Sequence, residues 1–139
     1  MGSRRQARVL AFQNLFGQDV NPRKTEEVLK FDWVDPEEQK SIEPDVLLFA
    51  RVLIQGTLEN WDLINASIQE HLRNWDFNRV DKVDLTILRM SVFQMLFLKD
   101  IPVKVVIDEA IDLAKIFASD DSYRFVNGVL DGLRREKGL

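Results

Sequence analysis

An all-α fold is predicted by three features of the 139-residue chain. Apolar residues recur at i, i+3, i+4 spacing along most of its length. Proline and short polar residues interrupt that pattern where helices would begin. No stretch joins strand alternation to hairpin turn signals. With 45% hydrophobic residues the chain can bury one real core. About seven helices without a fixed repeat fit an orthogonal bundle of two helical subdomains better than a solenoid.

The first helix is expected from Ser3, a good N-cap residue, to about Gln18, with Ala7, Leu10, Ala11 and Leu15 on one apolar stripe. Asn21-Pro22 reads as the cap and first residue of a short second helix ending near Lys30. The acidic segment 31–43, with Pro36, is a linker with one helical turn after Asp35. Pro44 opens a third helix with Val46, Phe49, Ala50, Leu53 and Leu58 inward, and Asn60 or Trp61 marks the next joint. The fourth helix carries Ile64, Ile68 and Leu72, and 74–78 is a further break. From about Arg79 to Leu98 the pattern is apolar on nearly every side, which predicts the most buried element. Pro102 starts the sixth helix, with Val103, Val106, Ile107, Ala110 and Ala114 buried. Residues 119–122 supply turn and cap chemistry for a seventh, carrying Phe125, Val126, Val129, Leu130 and Leu133.

Composition removes several function classes. There is no cysteine and only one histidine, His71, so disulfides, thiolate metal sites and cysteine nucleophiles are excluded, and no nucleophile–base–orienter arrangement can be assembled around the histidine. No glycine-rich phosphate loop, GxSxG elbow or HExxH pair occurs. A non-enzymatic protein with no cofactor and no metal is expected. No run is long enough to span a bilayer and no signal peptide is evident, so a cytoplasmic protein without membrane contact is expected.

The net charge of −4 hides an asymmetry. Residues 1–30 set six basic side chains, Arg4, Arg5, Arg8, Arg23, Lys24 and Lys30, against three acidic ones; residues 31–50 set Lys40 against six carboxylates. A polyanion site belongs near the N-terminus. Arg4, Arg5 and Arg8 sit in the first turns of a helix, where the macrodipole disfavours cations by about 0.3–1 kcal/mol each, so stability does not account for them. Phe12 and Phe16 continue the same helical sector. Arginine neutralises phosphate while aromatic faces stack on unpaired bases, which suits single-stranded RNA. A solvated basic terminus beside two core phenylalanines is the other reading of the same pattern.

Further features carry a structural reading, some with a functional one beside it. Gly128 interrupts a strong helical pattern at a cost of about 1 kcal/mol; either a neighbouring helix packs closely there, or a ligand approaches Asn127. Gly56 is taken as a packing glycine. Asp108 and Asp112 stand at i, i+4 with Glu109 beside them, as a hard-metal pair or as ion-pair partners for Lys104 and Lys115. His71 reads as a surface or helix-end residue. Trp33, Trp61 and Trp75 lie near joints, where large rings seal a bundle; Trp75 with Phe77 is alternatively an anchor for a protein partner.

Three blocks of sequence resemble the NusB family of bacterial transcription antitermination factors. Arg4-Arg5-Gln6-Ala7-Arg8 with Ala11-Phe12-Gln13-Asn14-Leu15-Phe16 is similar to its arginine-rich first helix. Arg79-Val80-Asp81-Lys82-Val83-Asp84 with Ile87-Leu88-Arg89 is similar to the start of its central helix. The longest block runs from Asp100-Ile101-Pro102 through Val106-Ile107-Asp108-Glu109-Ala110 and Leu113-Ala114-Lys115 to Asp121-Ser122-Tyr123-Arg124-Phe125-Val126-Asn127-Gly128-Val129-Leu130-Asp131. Their order and spacing hold across the chain, with residues 20–45 outside any block.

The resemblance implies two subdomains, about 1–77 and 78–139, and binding of boxA-type single-stranded RNA with NusE, a small-subunit ribosomal protein, within an RNA polymerase antitermination complex. It implies that Arg4, Arg5 and Arg8 contact phosphates, that Phe16 stacks on a base, and that Asp121 and Phe125 line a second part of the RNA site. Lys82 and Asp84 would lie where RNA meets NusE. Phe16 stands where the family more often has tyrosine, so a hydroxyl is missing. A homodimer covering the RNA site is a second arrangement open to the first helix. The rival readings are an RNA-binding module for ribosomal-RNA modification, a structural interaction bundle without an RNA role, and a hydrolase using Asp108 and Asp112.

Overall fold

The computed structural model describes residues 2–18, 22, 35–72, 76–119 and 121–139, and all regular structure among them is helical. Seven α-helices are present among these residues: α1 (Gly2–Phe16), α2 (Pro36–Ser41), α3 (Pro44–Glu59), α4 (Trp61–Glu70), α5 (Lys82–Phe97), α6 (Val103–Phe117) and α7 (Ser122–Lys137), with one 3-10 turn at Phe77–Arg79. Apart from Pro22, the expected second helix at 22–30 lies outside the described residues. The chain folds as two compact units, Met1–Glu59 and Asn60–Leu139. This division falls before α4, whereas the resemblance implies one near residue 77. The difference is α4, whose buried Ile64 and Ile68 belong to a helix packed on α5 and α7.

In the first unit α1 packs on α3. Ala7, Leu10, Ala11 and Leu15 are buried, as the helical stripe predicts, and Phe12 joins them. They face a helix whose buried positions are Val46, Ala50, Leu53, Ile54 and Thr57. Phe49 and Leu58, expected in that stripe, are only half-buried. The small side chains of Ala7, Ala11 and Ala50 allow the axes to approach, and each fully buried leucine or isoleucine contributes about 1.5–3 kcal/mol. Helix α2 is the single helical turn expected after Asp35, whose carboxylate accepts from the Glu37 amide at 2.9 Å with Pro36 at the first position.

The second unit is built around α5. Every residue from Asp84 to Met95 is buried, because α4, α6 and α7 all pack on this helix. A helix enclosed in this way must satisfy its polar side chains internally. Thr86 Oγ1 donates to the Lys82 carbonyl at 2.7 Å, and Gln94 Nε2 to the Met90 carbonyl at 3.1 Å. Arg89, 4% exposed, donates through Nε to Asn65 Oδ1 at 2.7 Å, and its Cζ lies 4.0 Å from the centre of the Trp61 ring. Trp61 therefore closes the end of the helix group around a buried cation. Helix α5 begins at Lys82, not near Arg79, because two aspartates cap in succession. Asp76 accepts from the Asn78 amide and starts the 3-10 turn; Asp81 accepts from the Val83 amide at 2.8 Å and starts α5. Pro102 occupies the N-cap of α6, whose Val106, Ile107, Ala110 and Ala114 are buried as expected. No helix among the described residues is long and apolar enough to cross a membrane.

Candidate nucleic-acid interface

The arginines of α1 meet an aromatic ring supplied by another helix. Arg4 Cζ stands 3.9 Å from the centre of the Phe49 ring of α3, and Arg8 Cζ stands 5.4 Å from it. The ring quadrupole attracts the guanidinium over its face. Arg4 and Arg5 are exposed, but Arg8 is only 3% exposed. Its burial departs from the expectation of a free phosphate contact: the position faces α3 between Ala7 and Ala11, and the stem is covered there. Arg4, Asp45, Leu48, Phe49 and Val52 line a cavity of about 360 Å³.

Phe12 and Phe16 stack with ring centres 6.0 Å apart and planes inclined by 24°. Phe12 is buried and Phe16 is 38% exposed, so the two readings of these phenylalanines divide between them. One is core and the other presents a ring to solvent. Sequence reasoning takes Phe12 and Phe16 as the aromatic partners of the arginines and misses Phe49. The periodicity of α3 marks Phe49 as apolar, but only the pairing of α1 with α3 brings it under the guanidinium groups.

In the second unit a cavity of about 330 Å³ is lined by Arg79, Val80, Asp81, Asp84, Ser119, Asp121, Ser122 and Phe125. Asp121 and Phe125, which the resemblance places in the RNA site, share this cavity with Asp84, which it places at the NusE junction, and with Arg79 and Ser122, which sequence reasoning does not single out. Lys82 is exposed on the first turn of α5. Trp75 lies outside the described residues. Asp121 occupies the N-cap of α7 without a side-chain capping bond. Ser122 Oγ donates to Asp84 Oδ2 at 3.3 Å, while Asp84 Oδ1 is buried without a hydrogen-bond partner. Burial pushes the Asp84 carboxyl above the ordinary carboxylate value; the Ser122 bond opposes this, and Asp81 adds to it. At 7% exposure, Asp84 offers little surface to a partner.

Gly128 lies on the exposed side of α7, where an added Cβ would meet nothing within 4 Å. Close helix packing does not explain this glycine. Asp108 is exposed and Asp112 half-buried on α6, and neither belongs to a group of three metal-capable side chains among the described residues.

A sequence profile of the NusB family matches residues 5–135. The chain belongs to the NusB family. The transcription antitermination protein NusB of Treponema denticola is 44% identical over 133 residues, covering 96% of each chain. That of Treponema pallidum is 46% identical over 132 residues, covering 95% of this chain and 92% of its relative. Among solved structures, T. maritima NusB superposes with a TM-score of 0.85 at 35% identity, over 96% of this chain and 91% of that one. A chain from a complex of antitermination factors NusB and NusE with double-stranded RNA gives 0.85 at 28% identity, over 98% of both chains. The function is therefore transcription antitermination, not catalysis.

Proposed function

We propose that this NusB-family protein binds boxA-type leader RNA together with NusE, and so keeps RNA polymerase from terminating early in ribosomal-RNA transcription. The observation that carries this reading is the close likeness to a chain solved in a complex of NusB, NusE and double-stranded RNA. The α1 surface supports it from this chain's own residues. Arg4 and Arg5 are exposed on a helix N-terminus whose macrodipole disfavours them, on the same helix as the exposed ring of Phe16. Phosphate contacts fall to Arg4 and Arg5, and base stacking to Phe16 and Phe125. Asp121 and Lys82 supply polar contacts in the second unit, and Lys82 and Trp75 meet NusE; Asp84, being buried, bonds Ser122 behind this surface and does not meet the partner itself. Arg8, being buried, positions Phe49 and through it Arg4. The protein works in the cytoplasm, where bacterial transcription takes place.

Binding of a boxA-like RNA and a scrambled control, with and without NusE, over a salt series tests the proposal. Preference for the boxA-like RNA in the presence of NusE is expected. The slope of log affinity against log salt should fall by about 0.7 for each phosphate that replacement of Arg4 and Arg5 leaves unneutralised. Equal affinity for both RNAs with NusE present refutes it.

A further inference from the structure

The ends of two helices in the second unit bring three metal-capable side chains together. Glu70 closes α4, His71 is its C-cap, and Glu136 lies in the last turn of α7. One ligand atom from each lies within 4.8 Å of the other two. Both helices point their C-termini here, where the macrodipole favours a cation.

The histidine ring is held in place. Its side chain is 10% exposed, and an added Cβ at Gly132 of α7 would stand 3.4 Å from Cδ2, so the ring rests against a position kept free of side chain. Nδ1 lies 2.7 Å from the Ser67 carbonyl oxygen. A carbonyl only accepts, so Nδ1 carries the hydrogen and, in the neutral ring, Nε2 carries the lone pair. Nε2 is buried with no hydrogen-bond partner, although Glu136 Oε2 is 2.7 Å away. The distance satisfies an ion pair and the alignment fails a hydrogen bond. An off-axis N–H gains little as a hydrogen bond. In the neutral ring two electron-rich atoms then face each other, an arrangement that either a proton on Nε2 or a bound cation relieves.

We propose that Glu70, His71 and Glu136 bind a divalent transition-metal ion of the zinc class, which ties the end of α4 to the end of α7. One imidazole nitrogen and two carboxylate oxygens form a three-ligand set suited to zinc, with water completing the coordination. The Nδ1–H bond to a backbone carbonyl is the outer contact that orients a metal-binding imidazole. Two neighbouring cations are engaged elsewhere: Arg135 holds Asp131 at 2.7 Å and Arg124 donates to the Tyr123 hydroxyl at 3.1 Å. Lys137 pairs with Glu136 itself, through Oε1 at 3.6 Å, and leaves Oε2 facing the histidine. The site opens on a groove of about 710 Å³ floored by Gly128 and Gly132. The proposal is independent of RNA binding.

Chelator-treated protein titrated with Zn²⁺ provides the test, by calorimetry and thermal unfolding. Saturable one-to-one binding is expected, with Tm raised by about 5–10 °C when the ion is at ~100 times its Kd. H71Q and E136Q should each abolish the shift, while D108N retains it. Nitrogen-15 spectra should show the Nε2 resonance moving on metal addition while Nδ1 stays protonated. Absence of saturable binding, equal binding by E136Q, or a doubly protonated His71 ring indifferent to Zn²⁺ overturns the proposal.

Discussion

Arginine meets an aromatic ring at nearly the same distance in both units: 3.9 Å for Arg4 over Phe49 and 4.0 Å for Arg89 over Trp61. Their surroundings give the two contacts different work. Arg89 is buried and donates to Asn65, so its charge is used up in holding α4 to α5. Arg4 is exposed at the start of α1, so its ring contact aims the guanidinium while its charge remains available to a polyanion. A cation over a ring is thus a core device or a surface device according to burial, and distance alone does not separate them.

The largest expected effect tests the buried half of this comparison. Arg89→Ala should lower unfolding free energy by about 2–4 kcal/mol, because it leaves a cavity and strands Asn65. Urea denaturation reads this directly, and an equal loss for Arg4→Ala would erase the distinction. Next comes the surface half. Arg4→Ala with Arg5→Ala should weaken RNA binding about tenfold at low salt and change stability by less than about 0.5 kcal/mol. Filter binding beside a melting curve separates the two quantities. Smaller still is Gly128→Ala, which should stabilise α7 by about 0.5–1 kcal/mol, since the new methyl meets no neighbour. A destabilised Gly128→Ala protein would reveal a packing demand at that position.

Asp84 is the acidic counterpart of Arg89, buried but incompletely satisfied, and sharpens the comparison through pH. Its raised folded value means that the native state takes up this proton more readily than the unfolded chain. The stability contributed by protonation is complete below the unfolded value and is lost as pH rises through the folded one. Asp84→Asn should therefore stabilise the protein at neutral pH, with the advantage shrinking on acidification. Urea midpoints of both proteins at two pH values measure the change, and an advantage that grows toward acid would contradict the assigned direction.

Local chemistry in the sequence accounts for much of the fold. Pro44 and Pro102 mark helix starts because proline fixes its own backbone angle, and the all-round apolar pattern of 79–98 identifies the central helix. The start of α5 is displaced from its expected place because Asp76 and Asp81 both have capping chemistry, and spacing alone does not say which begins the longer helix. Less of the candidate site is legible. Arg4 and Arg5 stand out through their conflict with the macrodipole. Phe49 does not, since its role arises from the packing of α1 against α3. The Ser122–Asp84 bond joins residues 38 apart in sequence, and the burial of Arg8 depends on what covers it. The alternatives for Gly128 likewise need the space around the helix to be known.

The stacked pair Phe12 and Phe16 has a further consequence. A solitary aromatic side chain at a surface gives up rotamer freedom when a ligand settles on it, at roughly 0.5–1.5 kcal/mol for an immobilised side chain. Phe16 rests against a buried neighbour, so part of that entropy is already lost when the protein folds. A planar ligand stacking there would extend an existing column of rings, and the ordering cost of its first contact would fall mainly on the ligand.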